Sequence, residues 1–219
     1  MKEIKEQFQK YFDQEDKENA VLFVLDCLKS NKIDVVDLYA QVLTPVLNEL
    51  KCDMEDKRIC IWQEHVKTAI VRTVVENCYP YVIAKKEQLN RKLNKKVAVV
   101  CPPDEYHDIG AKMIADLFTI SGFDTIFVGS GTPYQDFYNA ITLIKPCMVA
   151  ISVSNYFNLV AAKRMIEEIK KTVDYPVKVI VGGHAFSQDG EAKAKAISAD
   201  LFAKDFDDVL KMTECGVIA

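Results

Sequence analysis

The sequence lacks a basic excess, a long apolar run and, in its first half, glycine. Lys and Arg number 28 against 32 Asp and Glu in 219 residues, a formal net charge of -4. Binding to a nucleic-acid backbone needs clustered cations, so direct nucleic-acid recognition is excluded. No window of about 18 apolar residues occurs, so no segment reads as membrane-spanning. The start, Met1 to Lys10, is polar and helical in pattern, unlike a secretory signal. Cysteines stand at 27, 52, 60, 78, 101, 147 and 215 with no C-x-x-C pair. Odd in number and unpatterned, they argue against a disulfide frame or a zinc site. They point instead to reduced, mostly core thiols in a cytoplasmic protein. What is abundant is apolar material, 49% of residues against 27% charged, enough for a sizeable core.

The chain reads as two halves with different periods. From Lys2 to Gln88 there is no glycine, and Pro45 and Pro80 are the only prolines. Leu22, Val24, Leu25 and Leu28 recur at helical spacing. So do Val35, Val36, Leu38, Val42, Leu43, Val46, Leu47 and Leu50, behind an Asp34 N-cap. A third apolar-periodic run covers Ile59 to Tyr81. This half reads as a four-helix bundle over residues 1–90, kinked at Pro45. The charged stretch 85–96 reads as a linker.

Residues 91–219 alternate strands and helices. Short apolar runs at Lys96–Cys101, Thr125–Val128, Met148–Ser152 and Val177–Val181, with a weaker one at Asp200–Ala203, are buried-strand signatures. Helical segments over 108–121, 134–145, 157–172, 190–197 and 205–213 separate them. The fold class is therefore α/β: a helical bundle followed by a flavodoxin-like, Rossmann-type five-stranded parallel sheet. Such sheets bind ligands at the carboxyl ends of their strands.

His107 stands on the loop after the first strand, in Pro102-Pro103-Asp104-Glu105-Tyr106-His107-Asp108-Ile109-Gly110. The third strand ends in Ser152-Val153-Ser154 and the fourth in Gly182-Gly183. An imidazole can ligate a metal or move a proton, and glycines let a ligand approach backbone. Taken singly, a loop histidine is usually a surface residue, a strand-end serine a cap, and Gly-Gly a turn. Their joint placement on strands 1, 3 and 4 marks one site.

The pattern Glu105-x-His107-x-x-Gly110, then Ser152-x-Ser154, then Gly182-Gly183, resembles the cobalamin-binding domain. That domain is shared by B12-dependent methionine synthase, corrinoid methyl carriers and cobalamin-sensing regulators. The resemblance covers residues 96–213. It implies a cobalamin cofactor in adenosyl, methyl or hydroxo form, with cobalt held by His107 in place of the cofactor's own dimethylbenzimidazole. It further implies that Ser152 and Ser154 bond the detached nucleotide tail and that Gly182 and Gly183 line its path. Tyr106, Asp108 and Ile109 belong to the same binding loop. The Gly129–Pro133 loop, with Gly129 and Gly131, borders the corrin or the tail. A carboxylate on the other imidazole nitrogen would fix the tautomer, and either Glu105 or Asp108 can supply it.

In the same superfamily a four-helix bundle caps the upper corrin face. Glu64-His65 resembles the cap pair of the light- and cobalamin-sensing regulators; the competing reading is an exposed polar helix face. Where those sensors carry a Trp ten residues before the Glu, followed by a His, this chain has Met54 and Glu55. Met54 can supply a soft apolar lid, but the second His is missing, as is the regulators' helix-turn-helix domain. The expected function is a sensor or regulatory module acting through a partner protein or through self-association. The alternative is a corrinoid subunit that carries a methyl group between two methyltransferases. Independent catalysis is not expected, since 219 residues leave no room for a substrate barrel. A receiver domain would need an Asp where Ser152 stands. A dinucleotide enzyme would need G-x-G-x-x-G after the first strand, and Gly129-Ser130-Gly131 follows the second without a third glycine.

Overall fold

The computed structural model describes residues 1–51 and 56–214. Met54 and Glu55 therefore lie outside the described residues. The chain divides between Lys85 and Lys86 into two compact units.

The first unit is helical. Helix α1 spans Lys2–Asp13 and α2 spans Lys17–Lys29, the latter capped by Asp16, whose side chain accepts from Asn19 N. Asp34 caps the next helix as its position predicts: its Oδ1 accepts from Val36 N and Asp37 N at 2.8 and 2.9 Å. That helix runs as α3 (Val35–Asp37), a π-helical stretch (Leu38–Leu43) and α4 (Thr44–Asn48). Pro45 has no N–H for the carbonyl one turn before it, and the helix answers by widening its register just ahead of the proline. Helices α5 (Cys60–Asn77) and α6 (Tyr79–Leu89) divide the expected single run from Ile59 to Tyr81. Pro80 explains the break, because its ring would clash with the preceding turn, whereas in the first turn of a new helix no N–H is needed. Phe8, Phe12, Leu38, Tyr39, Val42, Ile70 and Val71 are fully or almost fully buried at the centre of this unit. One expectation fails here: Cys60 is disulfide-bonded, while Cys27, Cys78, Cys101 and Cys147 are free thiols.

The second unit is a parallel sheet in the order β2-β1-β3-β4-β5. Its strands are β1 (Lys96–Val100), β2 (Asp124–Gly129), β3 (Met148–Ser152), β4 (Lys178–Gly182) and β5 (Leu201–Phe202). Val97 pairs with Met148, Met148 with Lys178, and Ile180 with Leu201. Strand side chains alternate between two cores. Val97, Val99, Met148, Ala150 and Ile180 pack with Ala111, Ala115 and Phe118 of α7 (Ile109–Ile120) and Val209 of α11 (Phe206–Glu214). Val149, Ile151, Val179 and Val181 face α8 (Tyr134–Ile144), α9 (Leu159–Thr172) and α10 (Gly190–Ala196). The two-residue period thus places apolar side chains on both faces, the reason the strands read as unbroken apolar runs. The chain winds one way from β1 to β2 and the other from β1 to β3, so the switch point lies between β1 and β3. Among the described residues no helix is long and apolar enough to cross a membrane.

Candidate functional site

The loop leaving β1 carries His107 to the switch point. A turn closes it, with Glu105 N donating to Pro102 O at 3.1 Å, and Asp104 takes a left-handed φ of 64°. The turn folds the Glu105 side chain inward, where it is fully buried, while the His107 side chain stays 53% exposed. His107 Nδ1 lies 2.5 Å from Glu105 Oε1, which also accepts from His107 N at 3.2 Å. The other oxygen, Oε2, accepts from Ser154 N at 2.9 Å, Asn155 N at 2.8 Å and Asn158 Nδ2 at 3.1 Å. One carboxylate therefore ties the β1 loop to the β3 loop across the switch point. Burial works against its ionisation, but the bonds from Asn155 N, His107 and Asn158 outweigh it and hold the carboxyl below the usual glutamate range.

Between the two carboxylates left open by the sequence, the geometry selects Glu105 as the partner of the imidazole. Asp108 is buried and turned the other way: its Oδ2 accepts from Ser130 Oγ at 3.1 Å, linking the β1 loop to the β2 loop. Cys101, at the base of the loop, is inert. Burial, then the charges of Asp108 and Glu105, push its thiol up to about 12.

Gly110 sits in the first turn of α7, and a Cβ there would meet nothing within 4 Å. Tyr106 is exposed and Ile109 buried. Gly129 and Gly131 have left-handed φ of 70° and 78°; a Cβ on Gly129 would press on the Phe127 ring at 3.1 Å, and one on Gly131 would meet open space. Ser152 is half-buried at the end of β3, paired in register with Gly182. Ser154 Oγ donates to His107 O at 3.5 Å. The close approach that Gly182 and Gly183 admit is made by the chain itself. A Cβ at Gly182 would lie 2.8 Å from Ala203 O, and one at Gly183, whose φ is 108°, 2.4 Å from Val153 O. In the helical unit Glu64 is half-buried and His65 exposed on α5, with Trp62 exposed beside them.

Sequence reasoning missed Asn155, Asn158 and Ser130. Asn155 has a local signal, since its Oδ1 accepts from Phe157 N and caps the short 3-10 turn Tyr156–Asn158. Asn158 and Ser130 have none, as their partners lie 53 and 22 residues away.

The donor set fits a corrin-held metal. Nδ1 is held by a buried anion, so Nε2 is the nitrogen that a metal would use, with its basicity raised through the ring. A single neutral imidazole suits a metal that brings its other donors with it.

Residues 95–210 match the B12 binding domain family. The trimethylamine corrinoid protein of Methanosarcina barkeri is 28% identical over 148 residues, 60% of this chain and 67% of that protein. Trimethylamine corrinoid protein 1 of Methanosarcina acetivorans is 25% identical over 183 residues, 81% of each chain. The solved monomethylamine corrinoid protein of Methanosarcina barkeri superposes with a TM-score of 0.79 at 14% identity, covering 96% of this chain and 97% of that one, a likeness of fold. The family match takes in all five strands and each of the loops that carry Glu105 to Gly110, Ser152 to Ser154 and Gly182-Gly183, and it spans more than half of the chain: the protein belongs to the B12-binding domain family, with cobalamin as its cofactor.

Proposed function

We propose that the protein is a corrinoid methyl carrier, the cobalamin-bearing subunit of a methyltransferase system, rather than a sensor. The observation that carries this reading is its similarity to trimethylamine corrinoid proteins along most of the chain, 81% of each in one case. The sensor reading rests on Glu105 in the Glu-x-His motif and on Glu64 and His65, and an exposed His65 is what an outward polar helix face also gives.

Bound cobalamin supplies the metal centre that accepts and gives up the methyl group. The chain's own residues bind and orient it. His107 Nε2 is the lower ligand, replacing the cofactor's base. Glu105 holds Nδ1 and fixes the tautomer, and Ser154, Asn155 and Asn158 hold Glu105. Gly110, Tyr106 and Ile109 form the floor beside the imidazole, with Asp108 and Ser130 bracing the Gly129–Gly131 loop next to it. Ser152, Gly182 and Gly183 mark the seam of the β3 and β4 loops along which the detached nucleotide lies. Glu64 and His65 on α5 are the helical unit's candidates for contact with the cofactor. Partner methyltransferases deliver and collect the methyl group.

The test is a spectrum. Protein incubated with hydroxo-, methyl- or adenosylcobalamin and desalted should retain a corrin spectrum with the base displaced, and His107→Ala should change it. Identical spectra in wild type and variant would sink the lower-ligand assignment. For the carrier role, sedimentation should be the same for apo and loaded protein, in the dark and in light. A change of oligomeric state with cofactor or light would restore the sensor reading.

A further inference from the structure

Two acidic side chains flank His107, and only Glu105 touches its ring. The other, Asp108, is 8% exposed and stands at the N-cap of α7. An aspartate there ordinarily accepts from the first N–H groups of its own helix, yet Asp108 makes no such bond. Its Oδ2 accepts instead from Ser130 Oγ at 3.1 Å, 22 residues on, and lies 3.4 Å from where a Cβ on Gly129 would stand. A buried carboxylate that forgoes its own helix for a distant loop has a role outside that helix.

The end of β2 is shaped to deliver that hydroxyl. Val99 pairs with Phe127 but Val100 with Gly129, so β2 gains one residue against β1. An extra residue re-aims the side chains beyond it. Gly129 and Gly131, both left-handed, turn the backbone on either side of half-buried Ser130. Cys101 N donates to Gly129 O at 2.8 Å, so the two strands stay joined up to their loops. His107 therefore lies between two straps. Glu105, two residues before it, is tied to the β3 loop through Ser154 N and Asn155 N. Asp108, one residue after it, is tied to the β2 loop through Ser130.

We propose that Asp108 and Ser130 are positioning residues for the lower ligand: their bond anchors the backbone after His107, as Glu105 anchors the ring. The proposal rests on the reading above, in which His107 Nε2 holds cobalt. A ligand fixed from one side can swing about that point. Fixed from both sides it keeps one direction, and less ordering is left for binding to impose.

Affinity for hydroxocobalamin and the spectrum of the bound cofactor are measured for wild type, Ser130→Ala, Ser130→Thr, His107→Ala and the Ser130→Ala/His107→Ala double variant. Loss of one hydrogen bond to a charged group should weaken binding about tenfold in Ser130→Ala and lower the fraction with imidazole on cobalt. Ser130→Thr, which keeps the hydroxyl, should restore both. In the His107→Ala background Ser130→Ala should change nothing, because the latch acts through the imidazole. Wild-type affinity and spectrum in Ser130→Ala would overturn the proposal, as would equal losses with and without His107, the mark of a merely structural bond. Amide exchange in the apo-protein is the independent check. Protection of His107 N, which donates to Glu105 Oε1, should fall in Ser130→Ala, and unchanged protection would also overturn the latch. If His107→Ala leaves the bound spectrum as it was, the lower-ligand reading fails, and the exchange result still decides the latch.

Discussion

His107 and Glu105 form a pair of opposite accessibility: the imidazole is half exposed, and the carboxylate that holds its Nδ1 at 2.5 Å is fully buried. The carboxylate cannot reorient, because Ser154 N, Asn155 N and Asn158 Nδ2 occupy its second oxygen. The ring is thus offered to a ligand from a fixed base.

Replacing Glu105 with Gln tests that base. An amide cannot accept all five donors, and its NH2 must face one of them. We expect apo-protein stability to fall by about 1–3 kcal/mol, the cost of a buried donor left unpaired. The population with imidazole on cobalt should fall as well, with a loss of affinity of roughly 10–100-fold, typical of removing an orienting carboxylate. Urea unfolding and the absorption spectrum of bound cobalamin read the two effects separately. An unchanged spectrum would show that His107 needs no orienting partner.

Two glycines of the site should respond in opposite ways. Gly110→Leu adds a side chain into open space on a helix, so the fold should hold or gain about 0.5–1 kcal/mol. Cobalamin binding should nevertheless be lost, because the space beside His107 is filled. Gly183→Ala meets Val153 O and a φ of 108°, so it should destabilise the apo-protein before any ligand is added. Thermal melts of both variants without cofactor check the contrast, and a stable Gly183→Ala would contradict the backbone argument.

Asp34 makes the helical unit's stability depend on pH. Burial disfavours its charge, but bonds from Asp37 N, Lys85 and Val36 N prevail and hold its carboxyl below the usual range. A depressed folded value means stabilisation that is present at neutral pH, above the unfolded value, and lost as pH falls through the folded one. Asp34→Ala should therefore cost about 0.5–2 kcal/mol at pH 7. The gap to wild type should close in acid, below roughly pH 4. Denaturant curves at several pH values measure it; a gap that persists in acid would place the effect in packing instead.

The alternation of strands and helices, the caps and the placement of His107 on a strand-end loop were legible because each depends on neighbours in sequence. Apolar runs bounded by turns show a parallel strand wherever it pairs, and Asp34 shows a cap because its partners are two and three residues on. The B12 family, too, was written in short motifs. The reduced state expected of every cysteine was not, and Cys60 departs from it.

The sequence by itself determined the two-part architecture and the imidazole at the strand edge, since periodicity and motif are local. Only the tertiary structure decided that Glu105, not Asp108, holds that imidazole. Two carboxylates flanking a histidine are equivalent until the chain folds, and the choice was made by Ser154, Asn155 and Asn158, about 50 residues away. The same holds for Gly182 and Gly183, which are small because β5 and the β3 loop lie against them. It holds for Lys193, whose ammonium meets the Tyr156 ring and the Ala185 carbonyl only once the β3 and β4 loops come together. Contacts between distant loops carry no sequence period, so packing alone reveals them.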